Sequence, residues 1–223
     1  MVENDIIIDY ESLGMQPDGM VVDLAAVVFK DNEEVPDFKE LKKNAFHVKF
    51  KIKDQKGKRV SDQSVKEFWK KQPKEAQKIL YPSDVDVTVE EGTKMFLDWC
   101  KRVKVNFWKS HIYSRGNEFD LGFLTNILRE TFNTRDTFKL FPVAFWNARD
   151  VRTAIENRLL TRDMVHAPLK KGVLDGFVKH SSVDDCACAV MELIYARRYA
   201  LGLDEPPSED EVDENTVNRR VKH

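Results

Sequence analysis

The sequence predicts an α/β fold in which helices flank a mixed β-sheet. Apolar runs typical of strands come early in the chain, segments with helical periodicity alternate with short strands later, and no internal repeat or linker divides them. A chain of 223 residues is long enough to bury one sizeable core. Its 42% hydrophobic and 33% charged residues are typical of a soluble globular protein.

Three strands are predicted in the first quarter of the chain. The run Ile6–Ile8 has polar residues on both sides, which is typical of a short buried strand. A turn at 16–19 leads to a second apolar run at 20–29, and this short link predicts an antiparallel pair. Residues 45–52 alternate apolar and polar side chains, which predicts a half-buried third strand.

The rest of the chain is predicted to be mainly helical, with short strands between the helices. The first helix follows a capping-box pattern at Ser64 and Glu67. Apolar spacing or a leading proline predicts further helices at 73–80, 88–101, 121–129, 151–160 and 183–201. Short strands are expected at 110–114 and 143–146, and a loop or strand end at 174–179.

One domain is expected to span residues 1–203, with a basic and helical insertion at about 39–83. Residues 204–223 form a C-terminal tail. Its first part, 204–214, contains seven acids and no base, which is typical of a mobile terminal segment. From 39 to 59 there are nine Lys or Arg against two acids, in a chain whose net charge is −2. This basic stretch either neutralises phosphates or is a solvated edge, and the sequence favours neither.

The cysteine count and the hydropathy indicate a cytoplasmic protein. Cys100, Cys186 and Cys188 are odd in number and follow no zinc-ligand spacing, so we expect reduced thiols, with Cys186 and Cys188 packed as small apolar side chains. No apolar run approaches the roughly 20 residues that cross a bilayer. The N-terminus lacks the features of a signal peptide, and no membrane partner is expected.

Two acidic residues follow the first predicted strand. Asp9 and Glu11 are two positions apart, so on a strand their carboxylates lie side by side on one face. Like charges beside a buried strand repel each other and lose hydration, and a hard divalent cation such as Mg²⁺ or Mn²⁺ offsets that cost. Taken alone, the pair is more simply explained as solvated residues at the end of a strand.

Two later stretches place further candidates near the starts of predicted helices. Asp120 stands where the strand at 110–114 leads into a helix, and an N-cap or first-turn carboxylate is the simpler alternative. His180 and Asp185 lead into the last helix. There, Ser182 and Asp185 have the spacing of a capping box, and a single histidine in a loop is usually a surface residue.

Together the three stretches read Asp-x-Glu, Phe-Asp and His-x4-Asp, and this order resembles the three motifs of the DEDDh 3′→5′ exonucleases. His180 stands five residues before Asp185, as the histidine subclass requires, whereas Asp184 fits this spacing less well. The resemblance extends over residues 5–208 and includes segments similar to phage members of the family. It implies an RNase H-like fold. One departure is Gly116, which occupies the position where the family usually has Asn, and Asn117 follows one place later.

The resemblance implies hydrolysis of phosphodiester bonds with two Mg²⁺ ions, for which Mn²⁺ is a substitute. Asp9 is expected to bridge the ions, with Glu11, Asp120 and Asp185 completing the ligand set. His180 is expected to be the general base that takes a proton from the attacking water, because an imidazole pKa of about 6.5 suits that role at neutral pH.

Substrate contacts are expected on either side of these residues. By resemblance, Ser12 and Leu13 line the pocket for the terminal nucleotide, although a core or turn position explains Leu13 equally well. Four basic residues are candidates for steering the incoming strand: Lys53, Lys56, Lys58 and Arg59. The four tryptophans are candidates for stacking on bases, but core or groove-wall positions are more usual for this residue type.

The sequence therefore predicts a metal-dependent 3′→5′ exonuclease acting on single-stranded nucleic acid with a free 3′ end. Single-stranded DNA is favoured. RNA is the alternative, because a 2′-hydroxyl is recognised by local geometry that the sequence does not reveal. A non-catalytic nucleic-acid-binding module is the third alternative. It is disfavoured because such a module has no use for concentrated negative charge facing phosphate. Members of the family are often dimers, so a homodimer is a candidate, but the sequence shows no interface signature and leaves the oligomeric state open. For a phage-encoded protein, the resemblance also implies the cytoplasm of a bacterial host.

Overall fold

A computed structural model describes residues 2–162 and 165–218 and confirms the mixed sheet flanked by helices. The strands are β1 (Asp5–Ser12), β2 (Val21–Phe29), β3 (Phe46–Lys49), β4 (Ile112–Ser114) and β5 (Ala148–Asp150). They lie in the order β3-β2-β1-β4-β5. β1 pairs antiparallel with β2, as the short link between them predicts, and β3 also pairs antiparallel with β2. β4 pairs parallel with β1, and β5 with β4, so the carboxyl ends of these three strands meet at one edge.

Seven α-helices lie in the described part of the chain. They are α1 (Phe38–Lys43), α2 (Gln63–Lys71), α3 (Lys74–Gln77), α4 (Val89–Arg102), α5 (Asn117–Phe132), α6 (Val151–Leu159) and α7 (Ser182–Ala200). Short 3₁₀ turns occur at Ile52–Gln55, Lys78–Leu80, Phe145–Asn147 and Glu214–Thr216. Among the described residues, no helix combines the length and the apolar character that crossing a bilayer would require.

The isoleucine run of β1 contributes to two cores, one on each face of the sheet. Ile7 packs with apolar residues of α1, α6 and α7, whereas Ile6 and Ile8 pack with those of α4 and α5. This alternation follows from the two-residue period of a strand. Burying each such side chain contributes about 1.5–3 kcal/mol. Cys186 and Cys188 are buried in the α7 core as predicted.

The strand predicted at 143–146 is displaced along the chain. Val143 and Ala144 are buried, but Ala144 N donates to Phe107 O at 2.8 Å outside the sheet, and Phe145–Asn147 form a 3₁₀ turn. The strand that pairs with β4 is Ala148–Asp150. The prediction was wrong because buried apolar side chains satisfy the strand pattern whether or not the backbone joins a ladder.

Two helix starts also differ from the sequence-based prediction. At α2, the predicted capping box of Ser64 and Glu67 does not form. Asp62 occupies the N-cap position, and Glu67 accepts from Gln63 Nε2 at 2.9 Å. A capping box does occur at α4, between Thr88 and Glu91. Helix α1 has no counterpart in the prediction, because six residues are too few to show a helical period.

The acidic segment that follows α7 makes specific contacts as far as the structure describes it. Asp213 N donates to Leu169 O at 2.7 Å, and the buried Thr216 accepts from Leu169 N with Oγ1 at 3.0 Å. These contacts hold in place part of the segment that the acidic composition predicts to be mobile. Residues 219–223 of that predicted tail lie outside the described residues. The domain limits at 1–203 stay a prediction.

Candidate active site

The first acidic pair lies at the carboxyl end of β1. Asp9 and Glu11 are partly exposed, whereas Tyr10 between them is buried among residues of the α4 and α5 core. The strand alternation therefore places both carboxylates on one face of the sheet, as predicted, and α7 covers that face. The ladder between β1 and β2 shifts its register between Glu11 and Ser12, so the strand leaves regular pairing directly after the acidic pair.

Asp120 reaches the same place from the first turn of α5. Tyr10 N donates to Asp120 Oδ1 at 3.0 Å, which ties the start of the helix to β1 between its two acids. Gly116, at the N-cap position, has a φ of 125°, a conformation that residues with a side chain rarely adopt. Asn117 accepts from Ser114 Oγ at 2.9 Å. Asp120 is thus a first-turn residue, as the simpler alternative states, and it also faces the acidic pair.

Asp185 and His180 come from the start of α7 and the loop before it. His180 N donates to Asp185 Oδ2 at 3.1 Å, and Asp185 N donates to Ser181 O at 2.8 Å. Glu11, His180 and Asp185 each bring one potential metal-ligand atom within 4.8 Å of the others. The capping box considered for Ser182 does not form, because Ser182 Oγ donates to Asp23 Oδ2 at 2.7 Å.

The neighbouring Asp184 belongs to a different structural unit. It is buried, forms an ion pair with Lys42 of α1, and accepts from Ser181 Oγ at 2.7 Å and Val178 N at 3.1 Å. Successive residues of a helix point about 100° apart, so only one of two adjacent acids can face the site. The structure places Asp185 there, in agreement with the spacing argument from the sequence.

His180 has a backbone conformation that is unusual for a residue with a side chain. Its φ is 62°, in the left-handed region, which few non-glycine residues adopt. Residues with such unusual backbone conformations occur together at functional sites. The imidazole makes edge contacts with Phe68 and Trp69, with ring centroids 5.0 and 6.4 Å away. Trp69 Nε1 donates to Ser12 O at 2.7 Å, so α2 and β1 together hold the histidine against the carboxylates.

These residues line one cavity of about 580 Å³. Among the predicted site residues, the cavity lining includes Asp9, Glu11, Ser12, Asp120, His180 and Asp185. Ser12 is buried, and its Oγ donates to Gly14 O at 2.8 Å. Leu13 is half-buried, donates to Met20 O at 2.8 Å, and is not among the described residues that line the cavity. The structure therefore brings the five motif residues together and supports the turn alternative for Leu13.

The predicted strand-steering residues lie elsewhere. The Arg59 guanidinium is buried and donates to Gly19 O at 3.0 Å and to Glu130 Oε2 at 2.6 Å. The structure thus assigns Arg59 to holding α5 against the turn after β1, which corrects the predicted contact with substrate. Lys56 and Lys58 are exposed, and Lys58 lines a separate cleft with Glu130.

A further buried carboxylate was not singled out in the sequence. Asp23 of β2 accepts from Glu11 N at 3.2 Å, His47 Nε2 at 2.8 Å and Ser182 Oγ at 2.7 Å. It therefore links β1, β3 and α7 directly behind the acidic pair. A charged residue within the apolar run at 20–29 was the available signal, because a buried acid requires partners.

An ionic network forms another part of the cavity lining. Glu192 of α7 is fully buried, pairs with the Arg115 guanidinium, and lies 2.6 Å from His166 Nδ1. Arg152 Nη1 donates to Arg115 O at 2.9 Å. The single acid in the apolar part of α7 was a signal for this network. Its partners could not be identified from the sequence, because they lie 77 and 26 positions away.

Burial raises the pKa of all four motif carboxyl groups. The pKa of Asp120 and of Asp185 rises to about 7, mainly through loss of hydration. The pKa values of Asp9 and Glu11 lie well above the usual range, through burial first and then through repulsion from the neighbouring carboxylates. Burial, with a smaller contribution from Lys179, lowers the pKa of His180, so its imidazole is neutral at neutral pH.

The chemistry of this donor set fits divalent metal ions. Four carboxylates and one imidazole converge on a single cavity, and three of these groups lie within 4.8 Å of one another. Ionising the carboxylates without a nearby cation is costly, as their raised pKa values indicate. Hard oxygen donors suit Mg²⁺ and Mn²⁺.

We expect the thermal stability of the protein without metal to fall as the pH rises from 5.0 to 7.5. Asp120 and Asp185 titrate at about 7 when folded and at about 4 when unfolded, so between these values the folded state binds more protons. Stability is then lost as pH rises, by at most about 1.4 kcal/mol per pH unit for each group. Differential scanning fluorimetry in EDTA measures this decrease.

Mg²⁺ should reverse that loss most strongly at the higher pH, because protons compete with the metal for the same oxygens. At a hundred times its Kd, Mg²⁺ adds about 2.7 kcal/mol, equivalent to an increase in Tm of roughly 5–10 °C. The Asp185→Asn variant is the control and should show a smaller effect of both pH and Mg²⁺. Equal Mg²⁺ shifts at pH 5.0 and 7.5 would contradict the assignment of these carboxylates as ligands.

Comparison with protein families and curated proteins identifies relatives of this chain. Residues 4–194 match the family described as the 3′-5′ exoribonuclease Rv2179c-like domain. The chain is 44% identical over 217 residues to the exodeoxyribonuclease of Enterobacteria phage T4, covering 94% of this chain and 96% of the relative. The residues that match the family, 4–194, include Asp9, Glu11, Asp120, His180 and Asp185.

Solved structures with the same fold include DEDDh nucleases. The nuclease domain of 3′hExo, a DEDDh family member bound to rAMP, matches 96% of this chain and 97% of its own with a TM-score of 0.55 at 14% identity. The zinc-bound complex of E. coli exonuclease I with single-stranded DNA matches 89% of this chain, with a TM-score of 0.53 and 14% identity. This chain spans 41% of exonuclease I. At these identities the similarity establishes the RNase H-like fold.

Proposed function

Because this chain belongs to the family of 3′-5′ exoribonuclease Rv2179c-like domains and is an exonuclease of the DEDDh type, we propose that it releases nucleoside monophosphates from the 3′ end of single-stranded DNA. The observation that carries this proposal is the convergence of four carboxylates and His180 in one cavity. A non-catalytic binding module, the third alternative from the sequence, is set aside by the family assignment.

His180 is the general base in this proposal. Its lowered pKa keeps the imidazole unprotonated at neutral pH, so it can accept a proton from the attacking water. The ring is positioned by its edge contacts with Phe68 and Trp69, and the backbone by the bond from His180 N to Asp185. General base catalysis of this kind contributes about 10²–10⁴-fold.

Asp9, Glu11, Asp120 and Asp185 would hold two Mg²⁺ ions, with Mn²⁺ as a substitute. When bound, the ions neutralise charge on the phosphate and lower the pKa of the attacking water. The carboxylates are held in place by hydrogen bonds around them, such as those from Tyr10 N to Asp120 and from His180 N to Asp185. Asp23 accepts a hydrogen bond from the backbone N–H of Glu11, so we infer that Asp23 orients Glu11 as a ligand.

The terminal nucleotide is proposed to occupy the cavity between α2 and the ionic network. A volume of about 580 Å³ is within the usual range for small-ligand sites. Phe68 is 42% exposed and lines the cavity, so its ring is a candidate for stacking on a base, and the buried Ser12 also lines the cavity. Arg152 and Lys179 are cationic residues of the lining and are candidates for phosphate contacts.

DNA is the favoured substrate because the T4 relative, at 44% identity, is an exodeoxyribonuclease. Exoribonuclease activity is the second candidate, because the matching family is described by that activity. Both reactions use the same carboxylates and base, and they differ in whether the cavity accepts a 2′-hydroxyl. Residues near the sugar, such as Ser12, would make that distinction.

The finer expectations about partners and location remain part of the proposal. We infer that the partner is a single strand with a free 3′ end, and that the protein acts in the cytoplasm of a bacterial host. Buried, unpaired Cys100, Cys186 and Cys188 are compatible with a reducing compartment. Family members are often dimers, and multi-angle light scattering would measure whether this chain forms a homodimer.

Digestion of end-labelled oligonucleotides tests this function. Matched single-stranded DNA and RNA carrying a 5′ label are incubated with Mg²⁺ or with EDTA, and Asp9→Ala serves as the control for contaminating nucleases. We expect stepwise shortening from the 3′ end with Mg²⁺, none with EDTA or with the variant, and faster shortening of DNA. Faster shortening of RNA would replace the DNA proposal. Early 5′-labelled fragments that end at internal positions, without stepwise shortening from the 3′ end, would exclude an exonuclease mechanism.

A further inference from the structure

Five aromatic side chains form an exposed cluster that the proposed mechanism does not use. This aromatic patch consists of Phe107, Trp108, Phe138, Phe145 and Trp146. Three of its rings are largely exposed, Trp108 at 62%, Phe145 at 72% and Trp146 at 51%. The two tryptophans stack with ring centroids 5.9 Å apart and an interplanar angle of 29°. Large aromatic side chains exposed together mark a binding surface more often than single exposed residues do.

The patch is held in place by its backbone. Ala144 N donates to Phe107 O at 2.8 Å, and Asn147 Nδ2 donates to Trp108 O at 3.0 Å, so the two loops that carry the rings are joined. Phe138 also contacts Phe107, with ring centroids 5.3 Å apart. The rings are therefore presented in a preformed arrangement, which reduces the entropy lost when a ligand binds.

The charge around the patch is opposite to that of the whole chain. Residues 104–111 and 134–149 contain five Lys or Arg and one acid, Asp136, whereas the chain has a net charge of −2. Glu3 lies 3.6 Å from Lys109 and offsets one of these cations, which leaves the two segments that carry the rings net positive. Exposed aromatic rings among cations are the combination that binds single-stranded nucleic acid, because bases stack on rings and phosphates pair with cations.

The chain leads directly from the patch to the active site. β5 begins two residues after Trp146, and Arg152, six residues after Trp146, lines the catalytic cavity. Six residues span at most about 20 Å when fully extended. Arg149 lies between them and donates to Trp146 O at 2.7 Å. One single strand a few nucleotides long can therefore contact both sites.

We propose that the aromatic patch is an accessory site that binds the upstream, 5′ portion of a single-stranded nucleic acid whose 3′ end occupies the catalytic cavity. This inference rests on the proposed function for its ligand class. The site stacks bases on Trp108 and Trp146 and pairs phosphates with neighbouring cations such as Lys139. It makes the enzyme bind long strands more tightly than short ones without taking part in hydrolysis.

Kinetics on two lengths of oligo(dT) test the proposal, one of about 4 and one of about 20 nucleotides. In the double variant Trp108→Ala and Trp146→Ala, KM for the longer strand should rise about tenfold or more, with kcat unchanged and both constants unchanged for the shorter strand. Tyr81→Ala is the matched control, because Tyr81 is an aromatic residue 64% exposed outside the patch. An unchanged KM for the longer strand in the double variant would overturn the proposal.

Two further measurements separate this site from the proposed function and from a protein-binding surface. Binding of the longer oligo(dT), carrying a fluorescein label, is followed in EDTA by fluorescence anisotropy and does not depend on hydrolysis. Lys139→Gln should lower its salt slope by about one. Weaker binding of the labelled strand to the double variant supports the site even if no strand is cleaved, and unchanged binding contradicts it. If light scattering instead shows a dimer that the double variant converts to monomer with unchanged DNA affinity, the patch is a self-association surface and the proposal is wrong.

Discussion

Replacing Asp185 by Asn should reduce kcat by about 10³-fold or more while the protein remains folded. Asp185 is one of the carboxylates that line the catalytic cavity, and its pKa of about 7 reflects a buried charge that needs a cation. Removing that charge weakens metal binding and charge stabilisation together, and loss of one electrostatic group alone often costs about 10²–10³-fold. Single-turnover cleavage of labelled DNA across a range of Mg²⁺ concentrations measures the effect.

The same substitution at the adjacent acid should have the opposite profile. Asp184 accepts hydrogen bonds from Lys42, Val178 and Ser181 away from the cavity. Asp184→Asn should therefore lower the free energy of unfolding by about 1–3 kcal/mol. Its kcat should stay within about threefold of the wild type, because the charge does not face the substrate. Asp185→Asn, in contrast, removes a buried like charge and should raise Tm in EDTA. If Asp184→Asn were the inactive variant, the assignment of the third motif would be wrong.

Replacing His180 by Ala should lower kcat by about 10²–10⁴-fold and leave the binding of Mg²⁺ largely intact. The imidazole is neutral at neutral pH, and its loss removes the group that accepts the proton from water. The four carboxylates stay in place, so the increase in Tm caused by Mg²⁺ should persist. The pH dependence of kcat separates this role from a structural one, because the limb that reports the base should disappear in the variant.

His111→Ala is the matched control for that experiment. His111 also lies beside a carboxylate, with Nδ1 3.4 Å from Asp5 Oδ2, but at the amino end of β4 and away from the cavity. It should leave kcat and its pH profile unchanged. A His180→Ala enzyme with wild-type kcat would require a different base. Loss of the Mg²⁺-induced increase in Tm would instead indicate that His180 is needed to form the metal site.

Much of the fold was predictable because its signals are local. The Ile6–Ile8 run, the short link before β2 and the helical period of α4 each describe a few consecutive residues, and the structure confirms all three. The strand at 143–146 failed for the same reason. Val143 and Ala144 are buried, but Ala144 N donates to Phe107 O and these residues do not pair in the sheet. Local apolarity reports burial and does not report the partner.

The site shows the same division. Asp9, Glu11, Asp120, His180 and Asp185 were identified from spacing and family resemblance, and the structure brings them to one cavity. Arg59 was chosen because it lies in a basic stretch, and it is instead buried against Glu130. Charge composition gives the sign of a segment but not the direction of any side chain.

The sequence by itself determined the alternation of strands and helices, because this alternation depends on backbone periodicity, and it predicted the five motif residues through their spacing and a family resemblance. Only the tertiary structure decided which neighbouring groups control those residues. Asp23, Glu192 and the exposed patch around Trp108 and Trp146 depend on contacts between segments far apart in the chain. Burial and electrostatic interaction depend on distances in three dimensions, and they decide which acid needs a cation and which aromatic ring remains available to a ligand.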